Sequence, residues 1–95
     1  MTRIMVRHRV KDYSHWREVF DGFINTRKAN GEKSYQIFQD SKNENNLYLM
    51  FEWDNENNAR RFFDSTELKN AMQKGGVAET PEIHYLKEAG VGALK

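Results

Sequence analysis

Residues 47–53 read Leu47-Tyr48-Leu49-Met50-Phe51-Glu52-Trp53, and their alternation decides the fold. Successive side chains of an extended chain point to opposite faces, so Leu47, Leu49, Phe51 and Trp53 share one face while Tyr48, Met50 and Glu52 share the other. Large apolar groups on both faces predict a strand covered on two sides. Residues 3–10 alternate in the same way, with Ile4, Val6, His8 and Val10 against Met5, Arg7 and Arg9. Residues 33–40 predict another strand, joined to 47–53 by a polar turn over 41–46. After Thr80-Pro81 a last strand over 82–87 sets Ile83 and Tyr85 against His84 and Leu86.

Between these strands the apolar period changes from two to between three and four. Asp12 is placed to cap a helix in which Tyr13, Trp16, Val19, Phe20, Phe23 and Ile24 form one stripe, ending near Asn30-Gly31. Asp54 is placed to cap a second helix to about Asp64, with Ala59, Phe62 and Phe63 inward. Ser65 or Thr66 restarts a short helix with Leu68, Ala71 and Met72 inward, and Gly75-Gly76 stops it. The order β-α-β-β-α-α-β predicts an α+β fold, the ferredoxin-like βαββαβ arrangement with a four-stranded antiparallel sheet and both helical segments on one face. The other face carries Met5, Tyr48, Met50, Leu86 and Phe38 beside Arg7, Arg9, Glu52 and His84. So apolar a face predicts a partner, and the simplest is a second copy of the chain in an isologous homodimer.

Ninety-five residues make one domain, with a core over about 3–88 and a tail at 89–95. The formal charge is +1, with signs interspersed, so a nucleic-acid partner is not expected. The N-terminal stretch is broken by Arg3, Arg7 and Arg9, which predicts no signal peptide, no membrane span and a cytoplasmic location. Cysteine is absent, which removes disulfides, thiolate metal sites and a cysteine nucleophile. No HExxH, glycine-rich phosphate loop or GxSxG occurs, so metalloprotease, nucleotidase and hydrolase readings have no motif behind them.

Three histidines are spread along the chain, without the spacing of a metal site, and no metal is expected. By the alternation His8 and His84 point to opposite sides of the sheet, and His15 lies on the helix side away from Phe20 and Phe23. His8 interrupts the apolar face of Ile4, Val6 and Val10, so its imidazole points between sheet and helices. There it is either a proton acceptor or holder of a polar substrate atom, or a core histidine bonded to Tyr85 or a backbone carbonyl. The aromatic residues Trp16, Phe20, Phe23, Phe51, Trp53, Phe62 and Phe63 either fill a closed core or line a cleft for a flat apolar ligand, with Trp53 at its mouth. Arg27, beyond Phe23 and Ile24, either reaches an anionic ligand group at that mouth or offsets the helix dipole. The run from Lys42 to Asn46 reads as a solvated turn.

The segments Val6-Arg7-His8-Arg9-Val10-Lys11-Asp12-Tyr13 with Trp16 and Phe20-Asp21, Phe51-Glu52-Trp53-Asp54 with Ala59, Phe62 and Phe63, and Leu68 with Ala71-Met72 carry a family resemblance. The chain resembles the dimeric α+β barrel superfamily, and within it the antibiotic-biosynthesis-monooxygenase-like domains, over roughly residues 3–88. These are hydrophobic signatures, which specify fold more closely than reaction. The resemblance implies a homodimer whose two sheets form a barrel, with a pocket between sheet and helices in each subunit. Relatives include cofactor-independent monooxygenases acting on polycyclic aromatics, haem-degrading enzymes and isomerases. The haem-degrading pattern has an Asn on the first strand, a Trp ending the third and a His on the later helix. Trp53 matches that Trp, but His8 stands where the Asn is expected and Met72 and Gln73 where the axial His would be, so no haem and no other cofactor is expected.

Two functions follow from residues and resemblance together. One is a small monooxygenase or isomerase acting on a small aromatic compound, with His8 as catalytic group and Trp16, Phe20, Phe23, Trp53, Phe62 and Tyr85 as pocket wall. The alternative is a non-enzymatic dimeric ligand-binding or structural module with a filled interior.

Overall fold

A computed structural model describes residues 1–95. Its elements run β1 (Thr2–Arg9), α1 (Tyr13–Gly22), α2 (Ile24–Ala29), β2 (Glu32–Asp40), β3 (Asn43–Trp53), α3 (Glu56–Phe63), α4 (Thr66–Lys74) and β4 (Glu82–Leu86). The sheet order is β2-β3-β1-β4, with antiparallel neighbours throughout, so the expected ferredoxin-like α+β arrangement is the observed one. Register aligns the alternations: Ile4 faces Phe51 and Tyr85, Val6 faces Leu49 and Ile83, and His8 faces Leu47. One sheet face therefore carries the buried side chains Ile4, Val6, His8, Leu47, Leu49 and Phe51.

The helices close this face. Trp16 and Phe20 come down from α1, and Ala59, Phe62 and Phe63 from α3. Their rings form one continuous stack of neighbours: Trp16 on Phe20 at 4.8 Å between centroids, Phe51 on Phe63 at 5.8 Å, and Trp53 on Phe62 at 5.1 Å. Each fully buried aromatic contributes roughly 2–3 kcal/mol of apolar transfer before entropy is counted. Helix α4 is attached differently. It keeps Leu68, Ala71 and Met72 half-buried and has no fully buried side chain.

Local chemistry explains where elements begin and break. Asp12 caps α1 by accepting from the Ser14 amide at 3.0 Å, as the sequence predicts. The expected single helix divides at Phe23, whose amide is shared between the carbonyls of Val19 and Phe20 at 3.1 and 3.2 Å. The Phe20 carbonyl also takes Nη1 of Arg27, and a side chain inserted into the backbone ladder is a recognised cause of such a break. The cap of α3 is Asn55 and not Asp54; Asn55 accepts from the Asn58 amide at 2.8 Å, while Asp54 accepts from the Asn55 amide at 2.7 Å. Ser65 caps α4.

The turn over 41–46 shrinks to Ser41 and Lys42, because backbone pairing continues through the polar residues. Asn45 is consequently more than a solvated turn residue. Its Oδ1 accepts from the Tyr13 amide at 2.8 Å and its carbonyl from the Val10 amide at 2.8 Å, tying β3 to the start of α1. Residues 87–95 have no regular structure, so β4 ends one residue earlier than predicted.

The opposite sheet face has no cover within the chain. Phe38 is 53% and Leu86 41% exposed, beside half-buried Met5, Tyr48 and Met50. Register pairs Met5 with Met50 and Phe38 with Tyr48 across neighbouring strands, which makes the apolar groups one patch. On the same face Arg3 sits 3.6 Å from Glu52 and 3.7 Å from Glu88, Arg9 3.6 Å from Glu79 and the His84 ring 3.2 Å from Glu82, while Arg7 lies over the Tyr48 ring.

Gly31 joins α2 to β2 with φ of +116°, and its carbonyl accepts from the Asp54 amide at 3.0 Å. A Cβ there would fall on Asp54 Oδ1 and come within 2.8 Å of Trp53 Nε1. Gly31→Ala is therefore expected to destabilise the fold by about 1–3 kcal/mol, combining a disfavoured backbone conformation with a clash. Urea unfolding followed by tryptophan emission measures it; a change below about 0.5 kcal/mol contradicts the assignment.

Candidate functional site

A cavity of about 60 Å³ lies between the sheet and the helices. Its floor is Val6, His8, Leu49, Phe51 and Ile83 from the strands. Trp16, Val19, Phe20 and Phe23 of α1 and its end make one wall, and Phe62 and Phe63 of α3 another. Leu68, Ala71 and Met72 of α4, with Pro81, form the half-exposed remainder. One water needs about 10–15 Å³, so the chamber has room for on the order of four or five waters and is smaller than the roughly 150 Å³ that takes a benzene ring. Val19, Phe23 and Ala71 also line a shallow groove of about 520 Å³ between α1 and α4, rimmed by Glu18, Glu67, Asn70 and Lys74. The chamber therefore has a wider, more polar vestibule beside it, on the other side of these shared residues.

His8 is only 3% exposed, and neither ring nitrogen has a hydrogen-bond partner. The sequence-level alternative of a core histidine bonded to Tyr85 or to a carbonyl is overturned, since Tyr85 lies across β1 beside Ile4 and no carbonyl reaches the ring. Its nearest aromatic neighbour is Trp16, edge-on at 5.8 Å. Desolvation pushes the imidazole pKa down to about 4, with the attraction of Glu79 opposing it. At neutral pH His8 is therefore an uncharged group presenting one N–H donor and one bare nitrogen acceptor to an apolar chamber.

The second polar group in the chamber is Arg27. It is 3% exposed and forms an ion pair with Glu32 through Nε and Oε1 at 2.9 Å. Nη1 donates to the Phe20 carbonyl, the guanidinium lies 3.7 Å from the centroid of the Phe20 ring, and Nη2 has no partner. Arg27 is not at an exposed mouth; it lies buried in the last turn of α2, where a cation offsets the helix dipole. Burial pushes the Glu32 carboxyl above its ordinary range, and the adjacent Arg27 pulls against that. Glu32 was not singled out in the sequence, where a lone Glu after Gly31 carries no periodic signal.

Of the residues expected to line a pocket, His8, Trp16, Phe20, Phe23 and Phe62 do so, and Trp53 and Tyr85 do not. Trp53 is 0% exposed, at the core centre and not at a mouth. Its indole N–H donates to the Asn30 carbonyl at 2.8 Å, because the chain leaving α2 folds back over the end of β3. Tyr85 lies beneath the guanidinium of Arg60, 4.1 Å from its ring centroid, outside the chamber. Sequence reasoning did not assign Val19, Leu68, Ala71 or Met72 to the pocket, although they carry the helical periodicity that could have placed them there. His15 donates from Nε2 to the Lys74 carbonyl at 2.8 Å, and no group of three or more His, Cys, Asp or Glu side chains is arranged to hold a metal ion. No helix is long and apolar enough to cross a membrane.

Against known proteins, the model of the family described as Antibiotic biosynthesis monooxygenase matches residues 2–74. Among solved structures, SnoaB, a cofactor-independent oxygenase from Streptomyces nogalater, superposes with a TM-score of 0.77 at 12% identity, covering 95% of this chain and 94% of that one. A conserved protein from Methanosarcina mazei Go1 gives 0.70 at 17% identity over 92% and 91% of the two chains. Rv0793 from Mycobacterium tuberculosis gives 0.69 at 14% identity over 97% and 98%. At these identities the structural likeness establishes the fold alone. No curated protein matches the chain by sequence.

Burial of an uncharged His8 makes stability depend on pH. The unfolded imidazole titrates near 6.5 and the folded one near 4, so the unfolded chain binds the extra proton first as pH falls. Stability from this group is complete above pH 6.5 and is lost as pH falls toward 4. The expected loss between pH 7 and pH 5 is about 2 kcal/mol. Urea unfolding at the two pH values measures it, and His8→Leu should remove most of the difference; an equal pH dependence in the variant contradicts an uncharged, buried His8.

Proposed function

The chain belongs to the antibiotic biosynthesis monooxygenase family, and from that premise we propose that it is a cofactor-independent monooxygenase acting on a small aromatic compound bound against His8. The observation that carries the reading is His8 itself, a buried imidazole with two unpartnered nitrogens in a chamber otherwise walled by apolar and aromatic side chains. Buried polar atoms are ordinarily paired, and an unpaired one facing a cavity is a place where a ligand atom gains more than it would in water. Family membership and the likeness to SnoaB support the same reading.

With no cofactor, the electrons for dioxygen come from the substrate. The balanced change is that a phenol and O₂ give a quinone and H₂O: the ring C–H para to the hydroxyl becomes C=O, that hydrogen and the hydroxyl hydrogen leave in the water, and the ring loses four electrons to oxygen. Such a substrate must be electron-rich, as a hydroxylated aromatic is. His8 contributes position more than basicity, since an imidazole held near pKa 4 by burial does not keep a proton at neutral pH. It orients the substrate hydroxyl through its N–H or its bare nitrogen. The same property weighs against an isomerase, whose shuttling group must both take up and return a proton. Phe20, Trp16, Phe23 and Phe62 hold the ring and keep water away.

The proposal includes a homodimer in which the two uncovered sheet faces meet, and a cytoplasmic location, which a cysteine-free chain suits. A second reading, a dimeric binding module without catalysis, is favoured by one observation. The chamber's 60 Å³ is well below the roughly 300 Å³ at the low end of ligand pockets, so a larger substrate would have to use the α1/α4 vestibule.

Oxygen uptake in the presence of hydroxylated one- and two-ring aromatics separates these readings. His8→Ala is expected to lower turnover by at least tenfold while the chain stays folded; turnover equal to wild type removes His8 from the site. For the assembly, sedimentation is expected to give twice the 11.3 kDa chain mass, and Met50→Lys, a charge in the middle of the apolar patch, is expected to give the single-chain mass. A well-folded wild-type monomer at micromolar concentration would refute the dimer.

A further inference from the structure

We infer that α4 is the moving wall of the chamber: the helix shifts away from α1 on the links Asp64-Ser65 and Gly75-Gly76, so that chamber and α1/α4 groove become one cleft able to take an aromatic ring. That the opened cleft receives a ligand rests on the proposed use of the chamber as a binding site; the movement itself does not.

The first observation is a mismatch of size. The closed chamber, about 60 Å³, is smaller than the roughly 150 Å³ that takes benzene. The groove beside it measures about 520 Å³, and Val19, Phe23 and Ala71 line both spaces.

Helix α4 also stands between two vacant spaces. Glu67, Asn70, Ala71 and Lys74 line the groove, while Lys69, Met72 and Gln73 line a second hollow of about 300 Å³ that is bounded by residues 77–81. At about 3.6 residues per turn these two sets lie on opposite sides of the helix, and the chamber residues Leu68, Ala71 and Met72 lie on the face between them. A shift into the hollow therefore draws Ala71 off Val19 and Phe23, where chamber and groove adjoin.

The attachments of α4 permit that shift. Both of its flanks are fixed. Phe62 and Phe63 are buried at the end of α3, and beyond Gly75 the Gly76 carbonyl accepts from the Lys11 amide at 3.0 Å while the Ala78 amide donates to the Arg9 carbonyl at 2.8 Å. Between these anchors α4 has no fully buried side chain, unlike α1 and α3. It is held by half-buried Leu68, Ala71 and Met72, by the Val77 amide donating to the Met72 carbonyl at 3.0 Å, and by one hydrogen bond to α1, from His15 Nε2 to the Lys74 carbonyl at 2.8 Å. An element with few buried apolar contacts opens locally at less cost than global unfolding, and the glycine pair gives the chain the freedom to follow.

Amide hydrogen exchange on the full chain, resolved by NMR, tests the movement. Asn70, Ala71, Met72 and Gln73 are expected to share one opening step and to be at least about tenfold less protected than Phe62 and Phe63. His15→Ala, which removes an exposed side chain and its hydrogen bond to α4, is expected to speed exchange of those four amides together by about threefold or more and to leave α3 unchanged. The same variant is expected to bind 2-naphthol about threefold more tightly in a titration that follows the His8 ring, because a ligand that enters only the open form gains with the fraction that is open. Protection that falls gradually from Asn70 to the helix end, or that His15→Ala leaves unchanged, is fraying; it overturns the moving wall and leaves His8 as proposed. Faster exchange in the variant with equal affinity for 2-naphthol overturns entry past α4. Collective exchange that His15→Ala accelerates, with no saturable binding of 2-naphthol, upholds the moving wall and overturns the use of the chamber as a binding site.

Discussion

Strand β3 is the member of the sheet on which the rest depends, because it lies between β2 and β1 and carries bulky apolar groups on both faces. Its core face, Leu47, Leu49, Phe51 and Trp53, is buried by helices α1 and α3, and a ferredoxin-like chain has no further element to lay over the other face. Burying the first face builds the aromatic interior and supplies the dominant stabilisation. Leaving the second uncovered gives the molecule an apolar surface that meets water until something else covers it.

Within that interior the polar groups have been treated in two ways. Arg27 and Glu32 are buried together as an ion pair, clamped further by the Phe20 carbonyl and ring. Such a pair is weak evidence for stability, since removing two charges from water can cost as much as their attraction returns, but it fixes geometry. His8 follows the other route, losing its charge and keeping both nitrogens open. A fold that needed only stability would be served by Leu or Phe at that position, whose neighbours Ile4, Val6 and Val10 are apolar. The departure from local pattern at His8 coincides with the cavity, as expected where function overrides packing.

The architecture was legible because it depends on period. Alternation along β1 and β3 named the faces correctly, and Asp12 and Ser65 marked helix starts through a chemistry that acts within three residues. What was misread depends on neighbours distant in sequence. Trp53 looked like a residue at a mouth because it ends a strand, yet the chain at Asn30 and Gly31 folds over it and accepts its indole N–H. Tyr85 has the right alternation but the wrong lateral position, at an edge strand beneath Arg60. The polar run before Leu47 looked solvated because composition reports exposure and not backbone pairing, which Asn45 makes with Val10.

The amino-acid sequence by itself determined the element order, the two-faced β3, the single apolar stripe of α1 and the placing of His8 on the core side, all of which follow from local periodicity and short-range capping. The tertiary structure alone decided that Arg27 and Glu32 would meet across the turn at Gly31, that neither nitrogen of His8 would be bonded, and that a chamber would remain between them. Those outcomes depend on how several elements pack at once, and packing in three dimensions leaves no period in one.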